Sequence, residues 1–145
     1  MPAYRIRCTV VCLAVLLSAC GAGPSSQATA GDVCRAYFTA LFQGDNNTMY
    51  ALVAPVADEG DQGQVKRKTL DVYLPNFRAA HAAHAGGKVK RVETMATRPG
   101  ESGIADSCTV YYALPGNLEL QQIKLDVSEL ADGKWYLNPG SAARH

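Results

Sequence analysis

The feature that most constrains this chain is the apolar stretch of residues 8–17 followed by Ser18-Ala19-Cys20-Gly21, because it decides which residues belong to the folded body. Arg5 and Arg7 precede the stretch and small residues close it. A charged start, a short apolar run and a small-residue end form the pattern of a secretory leader. The run is too short for a bilayer-spanning helix, which needs about 20 apolar residues. Gly, Pro, Ser and Ala follow it in place of a stop-transfer sequence. Residues 1–19 are therefore read as a leader, and the fold must be built from what remains.

The segment Leu17-Ser18-Ala19-Cys20 resembles the bacterial lipobox. That resemblance implies that the Cys20 thiol receives diacylglycerol, that the peptide is cut before Cys20, and that the new N-terminus is acylated. Two or more acyl chains, at about 0.8 kcal/mol per buried methylene, make such anchoring effectively permanent. The alternative is an ordinary secretory cleavage that leaves Cys20 free. Gly21 is not the aspartate that retains lipoproteins at the inner membrane of some Gram-negative bacteria. The expected location is the cell membrane or the outer membrane, with the domain lipid-anchored on the extracytoplasmic side.

Losing Arg5 and Arg7 reduces the 14 basic residues to 12 against 13 acidic ones, a formal charge of −1. A general nucleic-acid binder needs a basic face, so nucleic acid is not an expected partner. Of five cysteines, Cys8 and Cys12 leave with the leader and Cys20 is acylated, so Cys34 and Cys108 remain. Disulfides persist outside the cytoplasm. A bridge between these two closes a loop of about 75 residues and adds roughly 4 kcal/mol on the chain-entropy argument. Two separate buried thiols are the alternative.

Residues 21–31 lack any large apolar side chain and read as a flexible tether holding a domain about 18 Å from the lipid. Asp32 then reads as an N-cap, residues 33–43 as a helix, and Gly44 as its terminator. Cys34, Tyr37, Phe38 and Leu41 fall at i, i+3, i+4 and i+7, one apolar stripe. A short second helix starts near Asp45, carries Met49, Leu52 and Val53, and stops before Pro55; residues 57–64 read as a loop. A third helix is expected over residues 64–85, with Leu70, Tyr73, Leu74, Phe77 and Ala80 on one face and a kink or restart at Pro75. Gly86-Gly87 closes the helical half.

From Lys88 the pattern turns to strands. Residues 88–97 and 104–114 flank a turn at 98–103, and Ile104, Cys108, Val110, Tyr112 and Leu114 share one face of the second strand. Cys34 and Cys108 thus both point between helix and sheet, as a bridge requires. A turn at Pro115-Gly116-Asn117 leads to a third strand over residues 118–127. Its apolar phase slips after Leu120, which predicts a bulge at Gln121-Gln122. Asp132-Gly133 makes a tight turn into Lys134-Trp135-Tyr136-Leu137. Residues 139–145 have too little apolar content to be ordered. Helices first and a meander of about four strands after them predict one α+β domain over residues 32–138.

The opening Val-Cys-Arg-Ala-Tyr-Phe-Thr-Ala-Leu-Phe-Gln-Gly-Asp and the closing Asp-Gly-Lys-Trp-Tyr-Leu resemble the nuclear-transport-factor-2-like (cystatin-like) superfamily, and within it small bacterial lipoproteins of unknown function. The resemblance covers nearly all of residues 32–138. It implies a cone-shaped fold whose helices and curved sheet enclose an apolar pocket, here expected among Tyr37, Phe38, Leu41, Tyr73, Phe77, Val110 and Tyr112. It also implies, by analogy only, homodimers through the open sheet face.

Ketosteroid-isomerase-like proteins and polyketide cyclases of that superfamily use a carboxylate base with a tyrosine or protonated acid opposite it. Asp106 lies on the Cys108 face and Tyr37, Tyr73 and Tyr112 face inward, but no motif transfers a catalytic role to them. His81 and His84, at i and i+3, lack a third ligand nearby and read as surface groups near a helix C-terminus, so neither metal nor cofactor is expected. Lys66-Arg67-Lys68 and Lys88, Lys90 and Arg91 read as solvated surface, with orientation against anionic lipid as the alternative. The expectation is a non-enzymatic, lipid-anchored binding or interaction module. Its partner would be an apolar small molecule, a lipid or an envelope protein. An isomerase- or cyclase-type enzyme with Asp106 as base and a structural envelope protein are the alternatives.

Overall fold

The computed structural model describes residues 26–55, 68–96 and 106–142. The leader, Cys20, most of the tether, the 57–64 loop, the 98–103 turn, Ile104 and residues 143–145 lie outside them.

The first helix, α1 (Ala30–Gln43), starts three residues earlier than the Asp32 cap implies. Its cap is Thr29, whose Oγ1 accepts from the Asp32 amide at 3.1 Å and donates to the Asp32 carboxylate at 2.7 Å. Asp32 therefore serves as the acidic first-turn partner, where a negative charge also meets the positive end of the helix dipole. At the far end Gly44 takes φ 72°, and its amide closes back on Ala40 and Leu41. The helix α2 (Asn46–Leu52) follows at once, capped by Asp45, whose carboxylate accepts from the amide and hydroxyl of Thr48. Third comes α3 (Leu70–His84), with Pro75 inside it. It begins later than expected, since Lys68 and Thr69 are already extended or irregular. Tyr73, Phe77 and Ala80 are its buried face, while Leu70 and Leu74 are half-buried at its margin.

Four strands, β1 (Lys88–Met95), β2 (Asp106–Ala113), β3 (Gln121–Glu129) and β4 (Trp135–Leu137), form an antiparallel meander in chain order. The fold is thus α+β, as the pattern predicts. The bulge is not at Gln121-Gln122: β2 and β3 pair without interruption from Asp106↔Val127 to Tyr112↔Gln121. The apolar phase slips there because Leu118 and Leu120 belong to the connecting loop and face solvent. The irregularity lies in β1, between Val89 and Arg91.

The helix α1 crosses the inner face of the sheet and touches all four strands, and α2 and α3 rest on it. Its stripe meets Cys108, Val110 and Tyr112 of β2, Leu125 and Val127 of β3, and Leu137 of β4 in one buried core. The Cys34–Cys108 disulfide joins helix to sheet inside this core, with Cα atoms 6.6 Å apart.

The two edges of the sheet differ. On the β4 side, the Trp135 amide donates to the Gln27 carbonyl at 3.0 Å, and Gln27 Nε2 donates to the Trp135 carbonyl at 3.0 Å. Val53 forms a parallel bridge to Leu137, and the Ala54 amide donates to the Leu137 carbonyl. The flexible tether expected over residues 21–31 thus does not extend to Gln27, which is fixed to the sheet, or to Ala30 and Gly31, which open α1. Nor is the chain disordered from residue 139. A short helix, α4 (Pro139–Ala142), buries Ser141 and Ala142. Polar contacts hold it: Asn138 N donates to Asp126 O, Asp126 N to Ser141 Oγ, and Ser141 Oγ to the Asp126 carboxylate.

Candidate functional site

Where the chain enters the fold, the first turn of α1, the end of β1, the start of β2 and Trp135 converge around a depression of about 560 Å³. Ala30 and Gly31 form its floor, Thr94, Met95 and Ala96 one wall, and Asp106 and Trp135 the other. A Cβ at Gly31 would stand 3.5 Å from Thr94 Cγ2 and 4.0 Å from Val92 Cγ1, ordinary contact distances, so the first turn of α1 lies directly over the end of β1.

Trp135 is placed by the turn before it. Gly133 takes φ 72°, its amide donates to Leu130, and Leu130 N donates to Lys134 O. The Asp132 carboxylate accepts from the Lys134 amide and from the Tyr136 hydroxyl at 2.7 Å, which locks the turn. Those donors, the Tyr136 hydroxyl foremost, hold the Asp132 carboxyl below the usual carboxylate range. Trp135 is half-buried, whereas Met95 on the opposite wall is 65 % exposed. Asp106 is half-buried and already engaged in an interaction, and it brings a carboxylate to an otherwise largely apolar surface. An indole, a thioether and one carboxylate at a half-open mouth suit an apolar molecule with a polar end.

The seven residues expected to line an enclosed pocket are brought together, but as packed core. Tyr37, Phe38, Leu41, Phe77 and Val110 are at most 1 % exposed, and Tyr73 and Tyr112 only slightly more. Tyr73 stacks on Phe77 at 5.6 Å, Phe77 meets Tyr37 edge-on at 6.4 Å, and Phe38 lies 5.3 Å from Tyr112. Burial pushes the phenols of Tyr37 and Tyr112 upward, so both stay neutral through the physiological range. The Tyr37 hydroxyl donates to the Ala142 carbonyl at 3.5 Å.

Both histidines have structural partners. His81 Nδ1 lies 2.8 Å from the Leu41 carbonyl, so it caps α1 and not its own helix. His84 Nδ1 lies 2.8 Å from the Ala80 carbonyl, and its ring stands edge-on to Tyr112. Among the described residues no three His, Cys, Asp or Glu side chains cluster as metal ligands.

A second depression of about 480 Å³ follows the outer side of α1, between Arg35, Thr39 and Gln43 and the Asp45–Thr48 cap. The described helices include none long and apolar enough to cross a membrane. Trp135, Met95 and Gln27 were not among the sequence-predicted site residues. The available signal was Trp135, the only tryptophan in the chain, placed directly after an Asp-Gly turn. Comparison with protein-family models, curated proteins and solved structures finds no match for the chain.

Proposed function

We propose that this chain is a lipid-anchored lipoprotein of the cell envelope. Its extracytoplasmic domain, a variation on the nuclear-transport-factor-2-like cone, binds an apolar molecule, a lipid or the apolar end of a larger partner at the Trp135–Met95 depression. The position of that depression carries the reading. It opens beside Gln27, where the chain enters the fold, and Ser26 is six positions from Cys20. Six residues span at most about 20 Å, so an acylated Cys20 keeps the mouth within reach of the membrane surface.

Two further observations support it. The Cys34–Cys108 disulfide suits an exported domain, since thiols stay reduced in the cytoplasm. The groups that an isomerase-type reaction needs are separated: Asp106 and Tyr112 sit at opposite ends of β2, about 20 Å apart at 3.3 Å per residue. One substrate bond cannot meet both, and the Tyr37 hydroxyl is turned to Ala142. Binding is therefore favoured over catalysis.

The test is native mass spectrometry of the chain from Gly21 onward, exported in its own host and purified gently, followed by organic extraction. A stoichiometric apolar molecule is expected. Re-adding it should shift the emission of Trp135, and Met95→Asp should abolish both retention and shift. A domain that leaves its host empty, with Trp135 emission unmoved by a lipid extract of that host, overturns the proposal.

A further inference from the structure

The open edge of the sheet points to a second activity, self-association. On the β4 side Gln27, Val53 and Ala54 occupy the backbone groups of the last strand, and Asn138 and Ser141 occupy those of Asp126 beyond it. At the other end of the strand order β1 pairs with β2 alone among the described residues. β1 is eight residues long, its lysines and its irregularity are confined to the first half, and an edge unpaired among the described residues recruits other strands where such features do not prevent it.

The charges on β1 discriminate between registers. For two copies related by a two-fold axis perpendicular to the sheet, each register is defined by the residue that lies opposite itself. Centring on Arg91 places two guanidinium groups face to face, and centring on Glu93 places two carboxylates face to face. Centring on Val92 sets valine against valine and Arg91 against Glu93 of the second copy, twice. Lys90, which the β1–β2 register skips, lies at the irregularity next to these pairs and on the side of Thr94 of the second copy, away from its Lys90 and Arg91. Directly opposed like charges destabilise a strand pair, while opposed opposite charges and β-branched pairs favour it.

The groups concerned are already arranged for this on the outer face of the sheet. Arg91 Nε lies 3.0 Å from Glu93 Oε1, and the Tyr111 hydroxyl donates to Glu93 Oε2 at 3.0 Å. The Arg91 guanidinium stacks 4.2 Å above the Tyr111 ring. Both charged side chains remain more than half exposed, so they are held in place yet accessible. The irregularity between Val89 and Arg91 lies just outside the three central pairs, one copy's at each end of them.

We propose that a second copy of this chain docks antiparallel along β1, centred on Val92, joining the two sheets into one continuous sheet with Arg91 and Glu93 exchanged across the seam. Each copy's β4 edge stays closed, so the assembly stops at two.

The experiment is light-scattering mass measurement after gel filtration on the exported chain from Gly21 onward, which contains every described element. The wild-type chain is expected at twice its monomer mass. Arg91→Glu and Glu93→Arg, each alone, place like charges opposite one another twice and should weaken self-association by about a hundredfold, giving monomers. Mixing the two variants restores both attractive pairs across the seam and should regenerate a dimer containing one copy of each. A role confined to the intrachain Arg91–Glu93 contact would not produce that rescue. A monomeric wild-type chain at its highest soluble concentration, a dimer indifferent to both reversals, or variants that stay monomeric when mixed would each overturn the proposal.

Discussion

Cys34, in the second turn of α1, and Cys108, near the start of β2 on its inner face, are joined across 74 positions. Both are at most 1 % exposed, so the bond couples the helical half of the chain to the strand half from within the core. Removing it frees the unfolded chain and leaves two small buried side chains where a filled bridge stood. Cys34→Ala/Cys108→Ala should lower stability by about 4 kcal/mol, read from denaturant midpoints. Thiol labelling of the exported, denatured but unreduced wild-type domain should find neither cysteine free. Two labelled thiols would show that the bridge does not form.

Gly87 is required for a packing reason, without a positive φ. A methyl group there would lie 2.6 Å from the Phe42 ring, and Phe42 is itself wedged against Phe38 and Tyr112. Gly87→Ala is expected to cost about 1–3 kcal/mol by overpacking. Most of that loss should return in a Gly87→Ala/Phe42→Leu double variant, since the smaller side chain vacates the space. An additive cycle would place the cost elsewhere.

What the sequence reveals and conceals follows from how far each interaction reaches along the chain. The stripe of Cys34, Tyr37, Phe38 and Leu41 is a local periodic signal, and all four residues are buried as it predicts. The start of α1 was also locally encoded, in Thr29 three residues before Asp32, but Asp32 imitates a cap well enough to hide it. The β1 irregularity and the unbroken β2–β3 register depend on partners far along the chain, which apolar phase in one strand does not report. Residues 139–142 and Gln27 carry too little apolar content to signal their order. Their order comes from hydrogen bonds to Asp126 and Trp135, and counting apolar side chains does not register such bonds. The entry-side depression was hidden in the same way, since its walls come from four segments with no common motif.

The Ser141 hydroxyl accepts from the Asp126 amide at 2.9 Å and donates to the Asp126 carboxylate at 3.2 Å, while being only 2 % exposed. Ser141→Ala takes the hydroxyl away from the part-buried Asp126 amide and carboxylate, so a loss of about 1 kcal/mol is expected. Amide exchange should localise it, with Asp126 and the residues of α4 losing protection while the β1–β2 ladder keeps its own. Uniform loss across the sheet would mean that α4 is not a separate local fastening.

Asp45 and Asp132 should make the domain lose stability in acid. The Thr48 hydroxyl and amide hold Asp45 ionised, and the Tyr136 hydroxyl, the Lys134 amide and the Lys134 charge do the same for Asp132. Their folded-state values lie below those of the unfolded chain, so acidification protonates the unfolded state first. The stabilisation is complete above the ordinary aspartate range near pH 4 and disappears as the pH falls through the lowered folded values. Asp45→Asn and Asp132→Asn should each be less stable than wild type at pH 7 and converge with it toward pH 2. Both carboxylates are exposed, so the differences should be modest. A gap that widens on acidification would reverse the assigned sign.

Tyr37 governs the opposite limb. Burial raises its phenol far above the ordinary value near 10, so above that pH the unfolded chain releases a proton that the folded state retains. Its contribution is fully present below the unfolded value and is lost as the pH rises toward the folded one. Tyr37→Phe removes the proton but also the hydrogen bond to Ala142, so the variant should be somewhat less stable at pH 7. Its stability should then fall less steeply than wild type above about pH 10, and denaturant midpoints in that range read the difference directly. Parallel alkaline limbs would mean that the phenol ionises as readily in the folded protein as in the unfolded chain, which the packing of α1 against the sheet does not permit.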